Sequence, residues 1–159
     1  MTFTKHIIIL YKNTKFVIKS NHFQYQLKNQ TMNKQLNAVK EFHTAFEIGY
    51  SESPKANLGE SKNVLRYNLM KEENEEYLEA VQNNDLIEIA DALGDMLYIL
   101  CGTIIEHGLH DKIEAVFEEI QRSNMSKLGE DGKPIYREDG KVLKGPNYFK
   151  PNIETILEK

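Results

Sequence analysis

The chain has 159 residues, 40% hydrophobic and 28% charged, with a net charge of −4 and a single cysteine. That length suits one domain with a real core, and the composition excludes a disordered polypeptide. The lone Cys101, set in an apolar run, excludes an internal disulfide and suits a reducing cytoplasm. No apolar stretch reaches the roughly 18 uninterrupted residues that suggest a membrane span, so no membrane partner is expected.

Residues 1–31 carry five lysines and no acid, or +5, which leaves fifteen basic and twenty-four acidic residues beyond them, or −9. The leading segment is rich in Asn, Lys, Gln and Thr, alternates weakly at Phe16-Val17-Ile18 and lacks a helical period. It reads as a poorly ordered basic extension over 1–31, with Met32 as the natural first residue of a domain over 32–159. The run Ile7-Ile8-Ile9-Leu10 is shorter than the ~7–15-residue apolar region of a secretory signal. An acidic main body argues against duplex nucleic acid as a partner and suits a protein that recruits divalent cations.

From Asn33 to about Tyr50, Leu36, Val39, Phe42, Phe46 and Ile48 approximate helical spacing. Ser51 to Pro54 breaks the pattern. A second helix is expected over 61–82. Asn83-Asn84-Asp85 then supplies a turn and an N-cap for a third helix over 86–106, which closes near Gly108. A fourth, over 111–123, carries Ile113, Val116, Phe117 and Ile120 on one face. In the tail, Asp131-Gly132 and Asp139-Gly140 are turn dipeptides, and Ile135-Tyr136-Arg137 with Lys141-Val142-Leu143 predicts a small hairpin. The expected fold is all-α: a four-helix-bundle-like core with a C-terminal β-hairpin.

Two acidic clusters interrupt the most apolar helices. On the second helix, at ~100° per residue, Glu72, Glu73 and Glu76 share a sector with Leu65, Leu69 and Ala80, whereas Glu75 and Glu79 fall outside it. On the third, Glu88, Asp91 and Asp95 follow i, i+3, i+7 and form one stripe, with Gly102 leaving space beside it. Nearly every other position from Leu86 to Ile105 is hydrophobic or small. A helix apolar all round belongs in a core, where a carboxylate must be paired, neutralised or metal-bound. A Glu-rich stretch read alone is a solvated face; the second stripe is what turns the balance toward a metal site. Oxygen ligands select Mg²⁺, Mn²⁺ or Ca²⁺, and the absence of any Glu-x-x-His pair argues against a di-iron centre. Mg²⁺ commonly meets substrate phosphates, which points to phosphate-ester or anhydride chemistry.

Glu72-Glu73-x-x-Glu76, then Glu88-x-x-Asp91 and Asp95-Met96-Leu97-Tyr98, resembles the all-α nucleoside triphosphate pyrophosphohydrolase superfamily, which includes MazG-like proteins, phosphoribosyl-ATP pyrophosphohydrolases and dimeric dUTPases. Arg122-Ser123-Asn124-Met125-Ser126-Lys127 and the stretch from Asp139 to Tyr148 resemble its MazG-like branch. The resemblance spans about residues 34–157. It implies a helical homodimer or homotetramer, dependent on Mg²⁺ with Mn²⁺ as a substitute, that cleaves a nucleoside triphosphate between the α and β phosphates to give the monophosphate and pyrophosphate. Phosphoribosyl-ATP or dUTP is the alternative substrate, and a nucleotide- or metal-binding regulator without turnover is the alternative role. Carried over by position, Glu73, Glu76, Asp91 and Asp95 are metal ligands, Glu72 or Glu88 serves the water, and Asn124 and Lys127 reach the nucleotide. The pattern departs at Ala92, where the second motif expects a glutamate; either Asp91 replaces it or Glu88-x-x-Asp91 is the working pair. His43, His107, His110 and Cys101 read as packing or helix-end residues.

Overall fold

A computed structural model of the chain describes residues 8–11, 14–17 and 32–158. The expected basic extension lies mostly outside the described residues. Within it, two short strands rich in β-branched and aromatic side chains, β1 (Ile8–Tyr11) and β2 (Thr14–Val17), pair antiparallel with Ile8 opposite Val17 and Tyr11 opposite Thr14. The chain divides into two compact units, Met1–Lys34 and Gln35–Lys159.

Beyond the strands the fold is all-α: α1 (Asn33–Ala45), α2 (Glu60–Gln82), α3 (Leu86–Glu106), α4 (Ile113–Met125) and the single turn α5 (Glu154–Leu157). Helix α1 stops short of the expected Tyr50 because Glu47 takes a left-handed φ of 55°, which lets the Ile48 N–H bond back to the His43 carbonyl at 2.9 Å. Helix α3 begins as its sequence predicts: the Asp85 carboxylate accepts from the N–H groups of Ile87 (3.0 Å) and Glu88 (3.2 Å). It ends at Gly108, whose φ is +66° and where a Cβ would stand 2.1 Å from the Ser53 carbonyl oxygen, so glycine is required there on both counts.

The buried apolar side chains are Leu36 and Val39 of α1, Ala80 of α2, and Ala92, Cys101, Ile104 and Ile105 of α3. Helix α3 is therefore buried mainly toward its C-terminal end. There the loop after α1 lies alongside it, with Ser51 N–H bonded to the Ile105 carbonyl (3.1 Å) and Lys55 N–H to that of His107 (3.0 Å). At the other end Leu86 and Ile87 are 76% and 78% exposed. The expectation that the whole helix lies in a core is thus corrected: within one chain the last turns are well covered, while before them only Ala92 is buried.

The expected C-terminal hairpin also reduces to less. The Asp139-Gly140 turn forms, with Gly140 at φ +82°, but a lone antiparallel bridge between Tyr136 and Val142 is all the pairing in the tail. Ile135, Tyr136, Val142 and Leu143 all remain exposed, and a pair of flanks with no apolar face to cover lacks the burial that sustains a ladder. Two backbone bonds cross the turn, Arg137 N–H to the Lys141 carbonyl at 2.8 Å and Leu143 N–H to the Ile135 carbonyl at 2.7 Å, and further on the tail bonds to the residues that follow α4: Gly145 N–H reaches the Lys127 carbonyl at 2.9 Å, and Phe149 N–H reaches Ser126 Oγ at 3.2 Å.

Candidate active site

Helices α2 and α3 are joined by the turn 83–85 and run antiparallel, so positions that climb on one descend on the other. Lys62 lies beside Glu106, Arg66 beside Ile99 and Thr103, and Glu76 faces a cavity shared with Glu88. Between these levels lies Glu73, on which the charges of Asp95 and Asp91 act. The two acidic stripes thus fall opposite one another along a single seam.

Glu73 is the innermost of the six. Its Oε2 is buried and has no hydrogen-bond partner. Its carboxyl is pushed above the ordinary glutamate range, first by burial and then by the anions Glu76, Asp95, Glu72 and Asp91. Glu72, Glu76, Glu88, Asp91 and Asp95 are exposed. The expectation that Asp91 and Asp95 are themselves buried is corrected here, because the part of α3 that carries them lies outside the core. Among the described residues no three potential ligands already stand in ligating geometry.

An orphaned buried carboxylate oxygen in the field of four further acids is a place a hard divalent cation fits. It supplies the positive charge that the buried atom lacks and removes the repulsion that raises its proton affinity. Beside this level, Glu76, Glu79, Ala80, Asn83, Asp85 and Glu88 line a cavity of about 360 Å³. Glu79 borders it although its helical phase sets it apart from Glu73 and Glu76. Asp85 is committed to capping α3. Ala92, where the second motif expects a glutamate, is 3% exposed.

Asn124 and Lys127 close the end of α4. Lys127 Nζ donates to Asn124 Oδ1 at 2.7 Å, so the two side chains form one unit. Among the described residues no hydrogen bond or ion pair links that unit to the acids of the α2–α3 seam.

Sequence reasoning missed a buried polar cluster further along the same seam. Glu106, 2% exposed, has Arg66 Nη1 at 3.6 Å, Lys62 Nζ at 3.3 Å and His43 Nδ1 at 3.9 Å. Arg66, 8% exposed, also donates from Nε to Thr103 Oγ1 (3.0 Å) and from Nη2 to the Ile99 carbonyl (2.6 Å). Burial draws its guanidinium below the usual arginine value against the pull of Glu106. His43 Nδ1 also meets the Gly49 carbonyl at 3.0 Å, which fixes the ring as a packing element. The space beside Gly102 is not open: a Cβ there would lie 2.8 Å from Arg66 Nη2 and 3.0 Å from His43 Nε2. An arginine early in α2 and a glutamate at the end of α3 were the available signal, but pairing residues 40 apart needs the helices docked.

An all-α unit with opposed carboxylate stripes on two antiparallel helices fits the expected all-α nucleoside triphosphate pyrophosphohydrolase superfamily. The sequence pattern of the phosphoribosyl-ATP pyrophosphohydrolase family matches residues 39–124, more than half of the chain, and the chain belongs to that family. It is accordingly a pyrophosphohydrolase. A solved structure described as "a putative NTP pyrophosphohydrolase", from Exiguobacterium sp. 255-15, is 27% identical; the match covers 78% of this chain and 94% of that one, with a TM-score of 0.43. No curated protein matches.

Proposed function

We propose that the α2–α3 seam hydrolyses a nucleoside triphosphate between its α and β phosphates, in a Mg²⁺-dependent reaction that yields the monophosphate and pyrophosphate. The observation that carries this is Glu73: a buried carboxylate oxygen without a partner, surrounded by the charges of Glu76, Asp95, Glu72 and Asp91. Glu73, Glu76, Asp91 and Asp95 would hold Mg²⁺, or Mn²⁺ in its place, with oxygen donors suited to either. When bound, the cation supplies charge neutralisation at the phosphates and a lowered pKa for the attacking water.

The chain's own side chains do the rest. Glu88 faces the cavity that Glu76 also lines, and Glu72 adjoins Glu73 on α2. Either carboxylate would orient the water and accept its proton, a task that needs a base within hydrogen-bond reach of that water. Lys127 carries a point charge for phosphate, and Asn124, held to it, can both donate and accept toward base or sugar. The proposed domain, 32–159, carries all of these groups. The family's name favours a second substrate, phosphoribosyl-ATP, whose anhydride would be cleaved at the same bond.

The exposed Leu86, Ile87, Leu93, Leu97 and Leu100 of α3 support a homo-oligomer, a dimer or tetramer in which a second copy covers them. Light scattering on the eluting peak would read a monomer if that were wrong.

The test of the site is pyrophosphate release across a panel of triphosphates, dUTP and phosphoribosyl-ATP included, by the wild type and Glu76→Gln with Mg²⁺ or Mn²⁺. Product from the wild type and a loss of at least ~100-fold in the variant are expected, in line with losing a group that acts in the transition state. Hydrolysis and Mg²⁺ binding that survive Glu76→Gln would show the acids to be misassigned. Thermal stabilisation by nucleotide without product would make the chain a binder rather than an enzyme of these substrates.

A further inference from the structure

We propose that Arg66, seated against Gly102, is a positioning residue for the acidic site: it fixes the register of α2 on α3 that brings Glu73 opposite Asp91 and Asp95. The inference rests on reading those acids as a divalent-cation site.

The apolar content of the seam specifies register weakly. Its fully buried members near the acids, Ala80 and Ala92, are small, while Val64, Leu65 and Tyr67 of α2 are half-exposed or more. Two smooth helical surfaces can slide by a turn, about 5.4 Å, at modest cost in buried area. Arg66 removes that freedom. Its three nitrogens address three α3 groups at once, the Ile99 carbonyl (2.6 Å), Thr103 Oγ1 (3.0 Å) and Glu106 Oε1 (3.6 Å), and a rigid planar fork cannot meet them from a neighbouring turn. Thr103 is itself oriented by donating to the same Ile99 carbonyl at 2.9 Å. Gly102 completes the seat, because any side chain there would occupy the guanidinium's place.

The spacing then reaches the site. Glu73 lies seven residues beyond Arg66 on α2, and Asp95 and Asp91 lie four and eight residues before Ile99 on α3. At about 1.5 Å per residue the Glu73 step, about 10.5 Å, falls between those of Asp95 and Asp91, about 6 and 12 Å, and in antiparallel helices all three run in the same direction. A clamp at one level therefore sets which acids face each other at the next. Setting a register is the best-attested use of a buried charged group, which by itself adds little net stability.

The probe is Mn²⁺ alone, its binding to the full chain followed by electron paramagnetic resonance beside thermal melts. Arg66→Lys keeps the charge but lacks the fork, Thr103→Val removes one acceptor, and Gly102→Ala fills the seat. Val39→Ala opens a cavity in α1 without altering Arg66, Gly102 or the α3 groups that Arg66 addresses. Arg66→Lys and Gly102→Ala are expected to weaken Mn²⁺ binding by about tenfold, as for residues that orient ligands, and Thr103→Val by a smaller factor. Val39→Ala should lower the melting temperature and leave Mn²⁺ affinity unchanged. The proposal is overturned if the clamp variants bind Mn²⁺ as the wild type does, or if affinity simply follows melting temperature across all four. Should Arg66→Lys fail to fold, Thr103→Val decides the matter. A wild-type chain that binds no Mn²⁺ would instead remove the cation site itself, a failure visible before any variant is made.

Discussion

The Ser123 hydroxyl donates to the Phe149 carbonyl at 2.8 Å, across 26 positions of sequence, and Ser123 is 2% exposed. This bond ties the tail to the last turn of α4, beside Asn124 and Lys127. Arg122 stacks on the Phe149 ring at 4.3 Å, and the Asn152 N–H reaches Glu119 Oε1 at 2.8 Å. Replacing Ser123 by Ala leaves the Phe149 carbonyl without its partner. A loss of about 1–3 kcal/mol is expected, read by urea denaturation, with α2 and α3 unaffected by limited proteolysis. A tail as protease-resistant as in the wild type would show that this bond is not what holds it.

The acids give a pH dependence of definite sign. Glu73 takes its proton more readily folded than unfolded. The folded state therefore holds the extra proton, and stability falls as pH rises from the ordinary carboxylate range through the raised value of Glu73. Glu119 acts the other way: its carboxyl is held low by the Asn152 N–H and by Arg122, so its contribution is lost as pH falls. Comparing wild type with Glu73→Gln isolates the first effect. Without divalent ions the variant should be the more stable at neutral pH, and the gap should close on acidification. A gap that does not change with pH would contradict the electrostatic origin given to it.

Magnesium should reverse that ranking. A cation that binds only the folded, ionised site raises the melting temperature of the wild type, while Glu73→Gln loses most of the gain. Because ligands must be deprotonated, the Mg²⁺-induced shift should fade as the pH is lowered. Equal shifts in both proteins would place the ion elsewhere.

Lys127 and Asn124 should behave as one. Each single change to Ala is expected to raise KM more than it lowers kcat. The double variant should lose less than the sum of the two, with a coupling of about 0.5–3 kcal/mol, as contacting residues show. Additive losses in a double-mutant cycle would mean that the 2.7 Å bond between them has no part in substrate binding.

At Gly108 the expectation is purely structural. Adding a methyl group both strains the left-handed backbone and drives a Cβ to 2.1 Å from the Ser53 carbonyl. Gly108→Ala should cost roughly 2–4 kcal/mol, combining the left-handed penalty with overpacking. A melting temperature within a degree or so of the wild type would refute it.

Much of the helical layout was legible because it is written locally. Asp85 caps α3 and Gly108 closes it, as the residue types alone predict, and the apolar period of α4 places Ile113–Met125 within two residues. What local signals misjudged depends on neighbours. The apolar run from Leu86 looks like core, but a single chain buries it mainly at its far end. The flanks of Asp139-Gly140 alternate like strands, yet have nothing to lie on. The one-turn α5 went unseen because four residues carry no period. At the site, the stripe of Glu88, Asp91 and Asp95 was readable from spacing, whereas the inward turn of Glu73 and the grip of Arg66 on Thr103 and Ile99 arise only once α2 meets α3.

Asp85, holding the first amides of α3, stands at the bend from which both acid-bearing arms depart. Glu72 through Asp95 is one unbroken length of polypeptide, so the two acidic stripes meet by a single fold of the chain at that bend.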